Sequence, residues 1–253
     1  MANNFRSGFV GKTFIVGKAG LAHRDKYNEL FPTDPDGVSR FFATVDAAIG
    51  ACTANAGDTI LVLPGHTETV TATSIAHDVA GVSVIGLGQG SNRPTFTFST
   101  AAATITVTAA NGMWKNVRCI ANFADVAAAF TLGATSTNFT VDGVDFTEAG
   151  ADLNWLNRIV TGATNNASDG LTVTNCFSHT IDLLGTAFIS VLGNLNYLVA
   201  TDNIVVSGST VDAGQFLTCS SKVLLGARVR RNSLQLTGAV SGATVGLFQT
   251  GSS

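Results

Sequence analysis

Six short segments that read as strands, each ending at asparagine or glycine, recur along the chain: 82–86, 113–116, 139–143, 171–175, 198–203 and 227–232. Counted between their last residues, Gly86, Asn116, Gly143, Asn175, Asn203 and Asn232, the intervals are 30, 27, 32, 28 and 29 residues. Units this short cannot bury an apolar face alone and must stack on their neighbours, so a regular repeat of this length specifies a solenoid. The competing arrangement is a β-sandwich in which common turn residues fall at these intervals by chance.

Further strand candidates lie between the six segments, among them Thr95-Phe96-Thr97-Phe98, Thr104-Ile105-Thr106-Val107-Thr108, Ala129-Phe130-Thr131-Leu132 and Gln215-Phe216-Leu217-Thr218. Two or three strands per period make one coil of a β-helix. Threonine alternating with Phe, Ile, Val or Leu turns one side of each strand inward. Asn and Gly tolerate the left-handed backbone that a sharp corner between sheets requires. A stacked Asn can also bond its amide to the copy on the next coil. Gly86, Asn116, Gly143, Asn175, Asn203 and Asn232 are therefore expected to form a structural ladder.

Ahead of the repeats, Val45, Ala48, Ile49 and Cys52 fall on one helical face behind Thr44 as N-cap. A capping helix over about 44–52 is expected to plug the open end of the coil, with Ile60-Leu61-Val62-Leu63 as its first rung and Pro64-Gly65 as its stop. Residues 1–40 read differently. They hold six of the 14 basic residues and scattered aromatics, without strand alternation or a sustained helical stripe. This predicts an N-terminal arm (1–40) and a β-helix domain (41–253), with Phe5, Phe9, Phe14, Tyr27 and Phe31 docking on the domain or on a neighbouring subunit.

Only 12% of the residues are charged against 45% apolar, whereas soluble domains carry about 25% charge. Such a surface suits burial in an oligomer. A net charge of −3 gives no footprint for nucleic acid or an anionic membrane, and the chain lacks the long apolar run of a transmembrane helix. The first residues lack the layout of a secretory signal. Cys52, Cys119, Cys176 and Cys219 share no metal-ligand spacing and are expected to be buried thiols. No cofactor is expected.

Gly57-Asp58-Thr59-Ile60-Leu61-Val62-Leu63-Pro64-Gly65, following an amphipathic helix, resembles the entry of the pectin-lyase-like right-handed parallel β-helix superfamily, with His66-Thr67-Glu68 where that family often has an aromatic residue and Glu. The resemblance implies an all-β, single-stranded right-handed solenoid. The whole chain also resembles small β-helix virion proteins of tailed bacteriophages, through its basic arm, the turn Phe31-Pro32-Thr33-Asp34-Pro35-Asp36-Gly37 and Phe41-Phe42. That resemblance implies a virion protein, a homotrimer and a partner such as the major capsid protein.

The superfamily includes polysaccharide lyases and hydrolases, and fold alone does not select among them. The polygalacturonase-type signature of an Asp pair, Gly-His-Gly and Arg-x-Lys is absent. Asp142 and Asp145 are the best local carboxylate pair, opposed on a strand unless Gly143 bends it; Asp169 and Asp182 come from the next coil. Each is also explained by turn chemistry. His23, His66, His77 and His179 lack a metal pattern, and of these only His66 sits beside a carboxylate, Glu68. Arg228, Arg230 and Arg231 suit an acidic ligand or, for Arg228 and Arg230, a contact with a neighbouring chain. The expected function is a non-enzymatic structural protein that decorates a virion; the alternative is a tail protein that binds or cleaves a host glycan.

Overall fold

The computed structural model describes residues 11–21, 26, 29, 37, 39–181, 187–207, 215–219, 221–236 and 248–250. The chain winds as a parallel β-solenoid with three long sheets. Sheet I, nine strands, runs in spatial order Phe41–Phe42, Thr13–Val16, Thr59–Val62, Ser83–Gly86, Met113–Lys115, Thr140–Asp142, Thr172–Thr174, Val199–Thr201 and Arg228–Arg230. Sheet II stacks seven strands from Thr67–Val70 to Ser233–Leu236, and sheet III seven from Ile75–His77 to Phe248–Thr250. Each coil visits the sheets in the order I, II, III, giving seven coils.

Register follows from the inward columns. Ile60, Val84, Trp114, Val141, Val173 and Ala200 stand in line on sheet I, and all are fully buried. A slip by one residue would turn each outward, so burial fixes the pairing. The aromatic side chains form a spine along the axis: Phe96–Trp114, Trp114–Phe130, Phe130–Phe146, Phe146–Phe188 and Phe188–Phe216, with centroids 5.3–6.3 Å apart. Edge-to-face geometry in most of these pairs adds to the burial energy.

The plug is helix α1, Val45–Gly50, with Thr44 as N-cap and Val45, Ala48 and Ile49 buried. It is held by the coil that follows it: Val45 N–H donates to Glu68 Oε2 at 3.0 Å, and Asp46 Oδ1 accepts from Ala76 N–H at 2.9 Å. Asp58 of the entry motif is a buried staple, accepting from Lys12 N–H at 2.6 Å and Thr53 N–H at 2.7 Å.

Two expectations are corrected here. Thr59–Val62 is not the first rung, because Thr13–Val16 pairs with it in parallel and Phe41–Phe42 lies beyond. Residues 13–16 thus belong to the solenoid rather than to an arm, and Phe14, expected at an interface, is fully buried in the core. Phe5, Phe9, Tyr27 and Phe31 lie outside the described residues. The extra rung also explains why 60–63 shows no alternation: the outer side of Leu61 is covered by a second small cluster of Ile15, Phe41 and Leu63.

The ladder is corrected in part. The left-handed residues between sheets I and II are Asn116, Gly143, Asn175, Asp202 and Arg231, with φ between 51° and 62°. Gly86 ends a strand; it is glycine because a Cβ there would lie 2.2 Å from Asn116 O. Asn203 and Asn232 sit one residue past the corner, pointing inward. A second left-handed column precedes sheet I on every coil: Asn55, Gly81, Asn111, Asn138, Gly170, Tyr197 and Gly226.

Candidate functional site

The corner between sheets I and II carries most of the candidate chemistry. Gly143, at φ 62°, bends the chain there, so Asp142 ends one strand and Asp145 begins the next around the same corner. Lys115 and Arg118 occupy the same two positions one coil below. Lys115 Nζ lies 2.5 Å from Asp142 Oδ2, and Arg118 Nε donates to Asp145 Oδ2 at 2.9 Å. From the coil above, Asn175 Nδ2 donates to Asp142 Oδ1 at 2.9 Å. The loop after Gly86 adds Arg93, whose Nη1 lies 3.7 Å from Asp145 Oδ2.

Of these groups, Arg93, Lys115 and Asn175 line a groove of ≈ 370 Å³ together with Gln89, Asn116 and Phe177, among others. Burial raises the Asp142 carboxyl, but the Asn175 amide and the Lys115 ammonium more than offset it and hold the group below its ordinary value. A carboxylate so held is a poor general base near neutral pH. Two buried atoms of the corner, Arg93 Nε and Asp145 Oδ1, lack a hydrogen-bond partner.

Asp142 and Asp145 flank the same corner but hold different partners, and Asp169 lies elsewhere. Asp169 precedes the opposite corner, where its two oxygens accept from Asn196 N–H and Nδ2, each at 2.8 Å. Asp182 lies outside the described residues. His66 is an intramolecular bridge: Nδ1 accepts from Lys18 N–H at 3.1 Å and Nε2 sits 3.1 Å from Glu68 Oε2. Arg228 and Arg230 are exposed on the last rung of sheet I. Among the described residues no group of three or more His, Cys, Asp or Glu side chains is arranged to hold a metal. Cys119, Cys176 and Cys219 are buried and Cys52 half-buried; burial pushes the Cys52 and Cys176 thiols up to about 12.

Two buried polar pairs went unnoticed in the sequence. His77, fully buried, accepts from Trp114 Nε1 at its Nδ1 (3.1 Å), while its Nε2 has no partner. Burial lowers its pKa to about 4. Gly112 makes room for the ring, since a Cβ there would lie 2.3 Å from Nε2. Glu148 and Arg158 form a buried ion pair at 3.5 Å between sheets II and III. Arg158 Nε donates to Ser178 Oγ at 3.0 Å, and Glu148 accepts from Trp155 N–H and Ile181 N–H. Burial lowers the Arg158 pKa to about 10, opposed by Glu148.

The three-sheet parallel coil defines the molecule as a parallel β-helix, in keeping with the pectin-lyase-like resemblance of its entry motif. No protein-family profile matches the chain, and no curated protein matches it in sequence. Among solved structures it is similar to a rhamnogalacturonan lyase, at 15% identity and a TM-score of 0.45, over 96% of this chain and 66% of that one. A likeness this distant transfers no residue role.

Proposed function

We propose that this chain is a non-catalytic structural β-helix, a rigid element of a larger assembly such as the decorated shell of a tailed-phage virion. The observation that carries this reading is the use of its carboxylates. Asp142, Asp145 and Asp169 each bridge successive coils, to Lys115 and Asn175, to Arg118, and to Asn196 respectively. Each of these carboxylates has at least one oxygen held by a partner on a neighbouring coil and so acts as a strut between rungs, whereas lyase or hydrolase chemistry needs a carboxylate or base free to exchange a proton with substrate.

The surface supports the same reading. Seven large apolar side chains exposed on the molecule, Phe177, Ile181, Leu192, Tyr197, Ile204, Val223 and Leu225, lie on the last three coils, against Phe123 alone before them among the described residues. Apolar exposure concentrated on the later coils favours a contact surface there.

The test is incubation of the purified chain with a panel of acidic and neutral polysaccharides, followed by sizing of the products. Unchanged chain length is the expected result. Shortening that disappears in Asp142→Asn or Asp145→Asn, with the fold intact, would overturn the proposal.

A further inference from the structure

At the corner between sheets I and II one coil departs from those that follow it. Residues 87–94 connect Ser83–Gly86 to Thr95–Phe98, whereas the next four coils make the same turn in two residues, Asn116-Val117, Gly143-Val144, Asn175-Cys176 and Asp202-Asn203. The long connection stands out from the corner as a wall, and the tight corners beyond it form a floor. The wall is pinned: Leu87 N–H donates to Val62 O at 2.8 Å, Asn92 O accepts from Gly65 N–H at 2.7 Å, and Asn116 Nδ2 donates to Gly86 O at 2.8 Å and Gly88 O at 3.0 Å. So held, it makes one pre-formed side of the ≈ 370 Å³ groove, a size that suits a small molecule.

The charges at this groove do not cancel. Arg93, Lys115 and Arg118 stand against two carboxylates, Asp142 and Asp145. Asp142 takes Lys115 and Asp145 takes Arg118, so Arg93 is the cation left over. It reaches Asp145 Oδ2 only at 3.7 Å, beyond hydrogen-bond distance, and among the described residues its guanidinium donates no hydrogen bond. The side chain keeps 24% of its surface exposed and lines the groove, whereas neither carboxylate does. A guanidinium carries its donors in a planar fork that matches a carboxylate.

An apolar surface lies one strand away. Phe177 follows Asp145 in register on sheet II, about 4.8 Å further along the stack, and is 40% exposed. It lines the groove together with the half-buried Ile85. A ligand that meets both features carries one negative charge, for the one uncompensated cation, beside a ring that can lie on Phe177. We propose that the groove binds a small monocarboxylate bearing a flat apolar ring, with the carboxylate on Arg93 and the ring against Phe177. This site goes beyond the scaffold role: it needs no proton transfer, and it leaves the carboxylates that brace the coils in place.

The experiment titrates the isotope-labelled full chain with naphthoate, with its neutral amide naphthamide and with inorganic phosphate, following backbone amide resonances by NMR. The expected result is saturable binding of naphthoate that shifts the amides of Asn116, Gly143 and Asn175. Naphthamide on the parent chain, and naphthoate on Arg93→Gln, should bind roughly tenfold or more weakly, the loss of one charged hydrogen-bonded contact. Phe177→Ser should weaken naphthoate and leave phosphate unchanged. Neither Arg93 nor Phe177 is buried, so both variants are expected to fold, which circular dichroism checks. Equal binding of naphthamide, phosphate bound more tightly than naphthoate, shifts confined to other parts of the chain, or no binding at millimolar concentration would overturn the site. The polysaccharide assay is separate: a chain that shortens polysaccharide yet binds naphthoate at this corner overturns the scaffold reading alone.

Discussion

Asn203 and Asn232 stack one above the other inside the coil. The backbone N–H of Asn203 and its Nδ2 both donate to Asn232 Oδ1, at 3.0 and 2.9 Å. Asn203 Nδ2 also reaches Val173 O at 3.0 Å, its Oδ1 accepts from Cys176 N–H at 3.0 Å, and Asn232 Nδ2 donates to Ala200 O at 2.8 Å. The fully buried Asn203 thereby satisfies two main-chain groups of the coil below, and Asn232 does the same for the coil of Asn203, at a corner that breaks the regular ladder.

Asn203→Leu would leave the Cys176 N–H and Val173 C=O without those partners. Its expected cost is about 1–3 kcal/mol, read as a lower midpoint in chemical denaturation. Asn175→Gly, which keeps the left-handed corner at φ 54° and loses only an exposed bond to Asp142, is expected to stay within about 1 kcal/mol of the parent. Equal losses at both sites would contradict the assignment of the ladder to the inward position.

His77 should make the fold acid-sensitive. Its folded pKa is about 4 against an ordinary 6.5, so between these values the unfolded chain takes up a proton that the folded chain refuses. Stability falls as pH drops through that window and this contribution levels off below it, reaching about 3 kcal/mol. His77→Gln should remove most of that pH dependence in denaturation curves measured across the window. An unchanged slope would show that His77 is not the source.

Breaking the Glu148–Arg158 pair should be costly because one charge would stay buried. Arg158→Leu is expected to lose about 3–5 kcal/mol. The pair-replacing variant Glu148→Leu/Arg158→Leu should lose less than the sum of its single variants, which a double-mutant cycle measures.

The period and the inward columns were legible because burial alternates with the strand: Val82, Val84 and Val141, Val173 read as rungs before any contact is known. The corner was legible only to within one residue. On the last two coils the left-handed slot holds Asp202, which tolerates it less often than Asn or Gly, and Arg231, which rarely adopts it, while Asn203 and Asn232 next door carry the expected letter. The second corner column was hidden for the same reason, with Tyr197 at φ 59° where other coils use Asn or Gly. The rung at Thr13–Val16 closes with a strand 46 residues away, and no local pattern announces it.

The candidate site was half legible. Asp142 and Asp145 were read as opposed on one strand unless Gly143 bent the chain; Gly143 does bend it, at φ 62°, and puts the two on successive strands. Their basic partners follow only once the register is known, since Lys115 and Arg118 are aligned with them by the stacking of coils. Glu148 and Arg158 come from successive sheets of one coil, and no short motif links them.

The mass of the full chain in solution, measured by light scattering on a size-exclusion column at micromolar concentration, tests the central claim most directly. An assembly subunit whose last coils expose apolar side chains is expected to elute as an oligomer, with the Tyr197→Ser/Leu225→Ser variant shifted toward the monomer. A monomer at that concentration, unchanged by the substitutions, would contradict the account.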